Sequence, residues 1–167
     1  KPVSSSTITK YKSTQKKLEA FEKHNKTKLK FTDLDLTFHK NFLHLITSVQ
    51  GIGKNTAGKY ISTIKSLARE ALLQGLPVNV ELNHPNFFAP TEKTEDIYLK
   101  DKEVNIIYNH DFKNDERLEN ARDLFIIGLR TGLRVSDFLR LKQTNVKDGF
   151  AEIETQKTGQ EVVIPMH

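Results

Sequence analysis

The 167-residue sequence predicts a mainly α protein in two parts: a helical first half, and a second half that mixes helices with a small three-stranded antiparallel sheet. Three observations predict this. Apolar residues recur at three- and four-residue spacing in stretches from about Thr7 to Leu141, the period of helices with one buried face. The period falls to two only after Asn145, where short runs are separated by turn dipeptides. Between the halves, residues 81–96 hold two prolines and little periodicity, the composition of a linker. The expected organisation is a helical domain over 1–80, a linker over 81–96 and a second domain over 97–167.

The first helix is expected from about Thr7 to His24, with Tyr11, Thr14, Leu18 and Phe21 on one face. The second starts at Thr37 as N-cap, with Phe38, Phe42, Leu45, Ile46 and Val49 inward. Gly51-Ile52-Gly53 breaks the chain, and Asn55 or Thr56 caps a third helix whose apolar face carries Ala57, Tyr60, Ile61, Ile64, Leu67, Ala68 and Ala71. Gly75 and Pro77 stand where a helix C-terminus places them. After the linker, Lys100–Tyr108 reads as a short helix with Val104, Ile107 and Tyr108 inward. Leu118–Arg130 reads as an apolar helix burying Ala121, Leu124, Phe125, Ile127 and Gly128, the glycine marking a close helix contact. Thr131-Gly132 stops that helix, and another follows to about Leu141. Asn145–Lys147, Phe150–Thr155 and Glu161–Pro165 are the strands, with Phe150, Glu152 and Glu154 facing away from Ala151 and Ile153.

Composition narrows the function. The sequence has no Cys, so disulfides and thiolate chemistry are excluded, which fits a cytoplasmic protein. No apolar run approaches a membrane span, and the first ten residues have no apolar core of a secretory signal. The net charge of +5 conceals an asymmetry. Residues 1–80 hold fourteen basic against five acidic residues, a balance of +9, whereas residues 81–167 hold twelve against sixteen, a balance of −4. A basic half of this kind points to a polyanion partner. On the polar face of the third helix stand Lys59, Thr63, Ser66 and Arg69, with Ser62 and Lys65 at its borders and Lys54 just before its start. Cations mixed with small hydroxyls suit phosphate contacts.

Other chemistries fall away. His24, His39, His44, His84, His110 and His167 are scattered without zinc-ligand spacing, which favours surface positions. Asp33-Leu34-Asp35 is explained by the positive start of the helix that follows. Gly51–Thr56 lacks the strand and the full pattern of a nucleotide-binding loop. There remain Arg134, a long cation set at a helix break, and Lys157 in the turn of the last hairpin. A guanidinium can grip two phosphate oxygens at once, and a hairpin lysine can act as point charge or proton donor. The plainer alternatives are an ion pair of Arg134 with Asp137 and a solvated turn at Lys157.

The run RLENARDLFIIGLRTGLRVSDFLRLKQTNV, followed by ETQKTGQEVVIP, closely resembles the first half of the catalytic domain of tyrosine recombinases, the phage and transposon integrase family. The basic half, with FEK, the DLD stretch and KNTAGKYISTIKSLAREALLQG, resembles the helical, SAM-like core-binding domain of that family, in the form found in integrases of Bacteroides-type mobile elements. The resemblance covers nearly the whole chain from about Ile8 and implies a core-binding domain followed by a truncated α+β catalytic domain. It implies that Arg134 is the first catalytic arginine, that Lys157 is the hairpin lysine protonating the leaving 5′-hydroxyl, and that Asp137 is the acidic residue supporting the site. The partner it implies is double-stranded DNA, recombined through a 3′-phosphotyrosyl intermediate without metal or other cofactor, by a tetramer on DNA in the full-length parent. The family's His-x-x-Arg motif and nucleophilic tyrosine have no counterpart after Arg134, since Tyr11, Tyr60, Tyr98 and Tyr108 all precede it. The sequence therefore looks like the middle of a longer integrase, expected to bind DNA as a monomer without cleaving it. The alternative is a nonenzymatic architectural or regulatory DNA-binding protein on the same scaffold.

Overall fold

The computed structural model describes residues 3–166, so His167 lies outside the described residues. The chain forms two compact units, Lys1–Glu95 and Asp96–His167. No helix among the described residues is long and apolar enough to cross a membrane.

In the first unit, helix α1 spans Ser5–Asn25, with Ser4 as N-cap accepting from the Thr7 amide at 3.3 Å. Lys26, in a left-handed conformation, ends it. Glu22 then braces the following loop, accepting from the Leu29 amide at 2.8 Å and pairing with Lys28 at 2.9 Å. Helix α2 spans Leu36–His44 and continues as a π-helical turn, Leu45–Val49. Its cap is Asp35, which accepts from the Phe38 amide, rather than Thr37. The acidic Asp33-Leu34-Asp35 thus serves local capping, Asp33 accepting from the Lys30 amide. Helix α3 spans Lys54–Leu73. Gly53 occupies its cap position, not Asn55 or Thr56, and Gly75 follows its end at φ +79°, a conformation that a side chain disfavours.

The three helices enclose a core of Phe21, Phe38, Phe42, Leu45, Ile46, Ala57, Ile61, Ile64 and Ala68, whereas Val49 is exposed. Phe38 stacks on Phe42 at 5.4 Å between centroids and meets Phe21 edge-on at 5.2 Å. Two further members of this core, Leu82 and Phe87, come from the stretch expected to be a linker. The reason is physical: Phe87 is fully buried, and its removal from water outweighs the irregular backbone that carries it. Residues 81–95 therefore belong to the first unit as a strap over it. His39 holds the strap too. It is buried rather than on the surface, its ring packing on Phe87 at 4.6 Å and its Nε2 lying 2.8 Å from the Phe88 carbonyl.

In the second unit, α4 spans Asp101–Tyr108, α5 Glu116–Thr131 and α6 Val135–Phe138. Strands β1 (Val146–Lys147), β2 (Phe150–Glu154) and β3 (Glu161–Pro165) form an antiparallel sheet in that order, with Ala151 opposite Ile164 and Ile153 opposite Val162. Burial along β2 alternates as the sequence demands, with Ala151 and Ile153 inward. Elsewhere expectation and structure diverge. Tyr108 is exposed, α6 stops after one turn instead of reaching Leu141, and α5 has no buried residue, so Leu124, Phe125 and Ile127 are partly in solvent. Too little packs over α5 within this unit to cover its apolar face. Gly128 does mark a close contact: a Cβ there would lie 2.9 Å from the Phe138 ring.

Candidate nucleic-acid interface

Helix α3 sorts the basic residues of the first unit by their neighbours. Thr63 is fully buried and donates to the Lys59 carbonyl at 2.8 Å, so it takes no part in the outer surface. The exposed stripe is Lys59, Ser62, Ser66 and Arg69, with Ser62 standing where Thr63 was expected. Lys65 is half-buried, donates to the Phe87 carbonyl at 2.8 Å and lies over the Phe87 ring, which spends its charge on the strap. Lys54 pairs with Glu92 at 3.0 Å. Of the six expected contact residues, Lys59, Ser66 and Arg69 are exposed without an ion-pair partner among the described residues, Lys54 and Lys65 are engaged within the unit, and Thr63 is core.

In the second unit the helix break is built by Gly132, at φ +64°, whose amide donates to the Gly128 carbonyl at 3.0 Å. Arg134 then caps α6 in an extended conformation, its carbonyl accepting from the Asp137 and Phe138 amides. Its side chain is 56% exposed, and its Nη1 lies 4.0 Å from Asp137 Oδ2, the outer limit of an ion pair. Asp137 itself is fully buried. Its Oδ1 accepts from the Gln156 amide at 2.8 Å, and its Oδ2 has no hydrogen-bond partner. Asp137 thus joins the Arg134 turn to the hairpin turn that carries Lys157. Arg140 makes a second tie, donating to the Glu154 carbonyl. Within the hairpin, the Thr155 hydroxyl bonds Thr158 and both backbone groups of Gln160, which stiffens the turn while Lys157 stays exposed. Arg134 can meet an anion bidentately, and Lys157 can offer it an ammonium. No His, Asp or Glu group suited to hold a metal ion is found among the described residues.

A family model for the phage integrase SAM-like domain matches residues 1–80. That match spans 80 of the 167 residues. The fold of the chain is that of the matched half of lambda integrase. A lambda integrase dimer bound to a COC′ core site matches with a TM-score of 0.76 and 21% identity, over 99% of this chain and 54% of that one. A lambda integrase tetramer bound to a Holliday junction matches at 0.71 and 20% identity, over 98% and 46%. Lambda integrase bound to DNA matches at 0.68 and 20% identity, over 98% and 53%. This chain spans about half the length of the integrase chains it matches. No curated protein sequence matches it. The residues matched by the SAM-like model are continued by the strap, whose anchor His39 carries no sequence signal beyond its polar character; the aromatic pair Phe87-Phe88 amid a polar stretch is the one hint in the sequence.

Proposed function

We propose that this chain is part of a tyrosine recombinase whose first unit binds duplex DNA and whose second unit supplies two groups to the scissile phosphate. The observation that carries the reading is the Arg134 turn. A helix break exposes a guanidinium, and one buried carboxylate, Asp137, ties that turn to the hairpin bearing Lys157. Arg134 would hold the nonbridging phosphate oxygens while a tyrosine attacks phosphorus, forming a 3′-phosphotyrosyl bond and releasing the 5′-hydroxyl. Lys157 would give its proton to that leaving oxygen. Asp137 would keep the two cations in register. The fold shared with lambda integrase structures bound to DNA supports the reading, as does the +9 charge of residues 1–80. The 167 residues contain no tyrosine after Tyr108, so by themselves they bind DNA without cleaving it. Assembly as a tetramer on DNA, action in the cytoplasm and carriage on a mobile element of Bacteroides type complete the proposal for the longer protein.

The test is direct. A labelled duplex titrated with this chain should bind with an affinity that falls by roughly 1,000-fold or more between about 50 and 200 mM salt if six or more phosphates are contacted. No covalent adduct should form on a nicked suicide substrate. A flat salt response removes the DNA reading, and an adduct on any of the four tyrosines removes the assignment of the nucleophile to other residues.

A further inference from the structure

The strap is held against α3 more tightly than a passive connection requires. Asn55 closes a two-pronged bond with Glu92, its Nδ2 donating to the Glu92 carbonyl at 2.9 Å and its Oδ1 accepting from the Glu92 amide at 2.7 Å. Gly58 is buried in the second turn of α3, where glycine weakens a helix, and a Cβ there would lie 2.0 Å from the Pro90 carbonyl oxygen. The missing side chain is what lets the strap backbone touch the helix. Beside this contact lies an open basin of about 350 Å³ between α1, α3 and the strap, walled by Lys10, Asn55, Lys59, Ser62 and Thr91. Asn55 is fully used by Glu92. Lys10 and Lys59, in contrast, have no carboxylate within ion-pair distance among the described residues, and the Ser62 and Thr91 hydroxyls have no protein hydrogen-bond partner there. Two unspent ammonium groups and two unspent hydroxyls therefore face one hollow. One of its walls lies beyond the residues of the SAM-like domain, because Thr91 belongs to the strap.

We propose that this basin seats a phosphate of the DNA backbone, with Lys10, Lys59, Ser62 and Thr91 as its contacts and with Gly58 and Asn55 as positioning residues that hold the strap wall in place. The proposal rests on the reading of the first unit as a DNA-binding domain. It adds that the complete binding surface extends to residue 92. The strap is set by the Asn55 amide, the close approach at Gly58 and the Lys54 and Lys65 contacts, none of which uses Lys10 or Lys59, so docking leaves those two charges to the ligand. A phosphate fits because the donors are cationic or hydroxyl, with no acidic side chain among the walls.

The experiment measures binding of the whole 167-residue chain to a labelled 30-base-pair duplex over a salt series, with helix content followed by circular dichroism. Lys10→Gln and Lys59→Gln should each lower the slope of log affinity against log salt by about one, as loss of a single phosphate contact does. Gly58→Ala removes no charge, yet it should weaken binding and lower the slope by about one or more, because the Pro90 carbonyl must move away and take Thr91 with it. If Gly58→Ala unfolds the unit, Asn55→Ala removes the two bonds to the Glu92 backbone, leaves the Lys54–Glu92 pair, loosens residues 91–92 and should weaken binding in the same direction. Folded Gly58→Ala or Asn55→Ala protein with unchanged affinity and slope overturns the role of the strap. Unchanged slopes for both lysine variants overturn the seat itself, while wild-type binding stays steeply salt-dependent. A wild-type chain without salt-dependent binding removes the DNA reading beneath the proposal, and the seat falls with it.

Discussion

Arg134 keeps its guanidinium largely in solvent although a buried carboxylate stands 4.0 Å away. The pairing is too long and too wet to hold the turn, which the Gly132 conformation and backbone bonds already fix. On the proposed reading, in a longer chain that supplies a nucleophilic tyrosine, Arg134→Ala should leave the melting temperature nearly unchanged and lower the cleavage rate by roughly 100- to 1,000-fold. Arg134→Lys should fail as well, since an ammonium cannot reproduce the two-pronged contact. A large fall in melting temperature with near-normal cleavage would make the arginine scaffolding. Glu22 shows the opposite use of a charge. Its carboxyl is held below the ordinary value first by the Leu29 amide and then by Lys28, while desolvation works against both. A carboxyl with a lowered folded-state value stabilises the fold above its unfolded value, and that contribution is lost as pH falls through the folded one. The stability difference between wild type and Glu22→Gln should therefore shrink on acidification below the usual carboxylate range, as urea melts at several pH values will read.

At the scale of elements, helices were legible wherever one face is buried against neighbours in the same unit. In α3 the apolar period named Ala57, Ile61, Ile64, Ala68 and Ala71, all of them buried. The same rule misplaced Thr63, because a β-branched residue that bonds its own helix backbone at Lys59 can sit inside as readily as outside. The strap escaped the rule altogether. It has no period, and its attachment rests on contacts distant in sequence: Leu82 and Phe87 in the core of the first unit, the Phe88 carbonyl at His39 and the Glu92 backbone at Asn55. Phe87→Ala should destabilise the first unit by about 3–5 kcal/mol, the usual cost of emptying a buried aromatic site, as measured by chemical denaturation followed by circular dichroism. A cost near zero would return residues 81–95 to the status of a linker.

The two units differ in how far they bury their own apolar residues. The first has an enclosed aromatic and aliphatic core, whereas in the second the buried apolar residues among those described are Val104, Ala151 and Ile153. With about 25 cal/mol gained per square ångström of apolar surface buried, a unit that leaves Leu124, Phe125 and Ile127 partly in water forgoes much of the driving force available to it. Backbone amides of α4 and α5 should accordingly exchange with deuterium well before those of α2 and α3, and the second unit should unfold at lower denaturant. Equal protection in both units would contradict the inequality of their cores.

Periodicity, charge and turn residues determined the helical first half, the three-stranded sheet, the helix break at Gly132 and the basic character of residues 1–80, because each is a local property of spacing or composition. The resemblance of residues 1–80 to a core-binding domain agrees with the match to the SAM-like family model, and the fold of the chain agrees with that of lambda integrase. Only the tertiary structure decided which basic residues remain free. Lys54 pairs with the strap at the surface and Lys65 turns inward to it, Lys59 and Arg69 face out, and a buried carboxylate at Asp137 binds the Arg134 turn to the Lys157 hairpin. These outcomes depend on partners 19 to 38 residues away, which no local pattern of spacing can name.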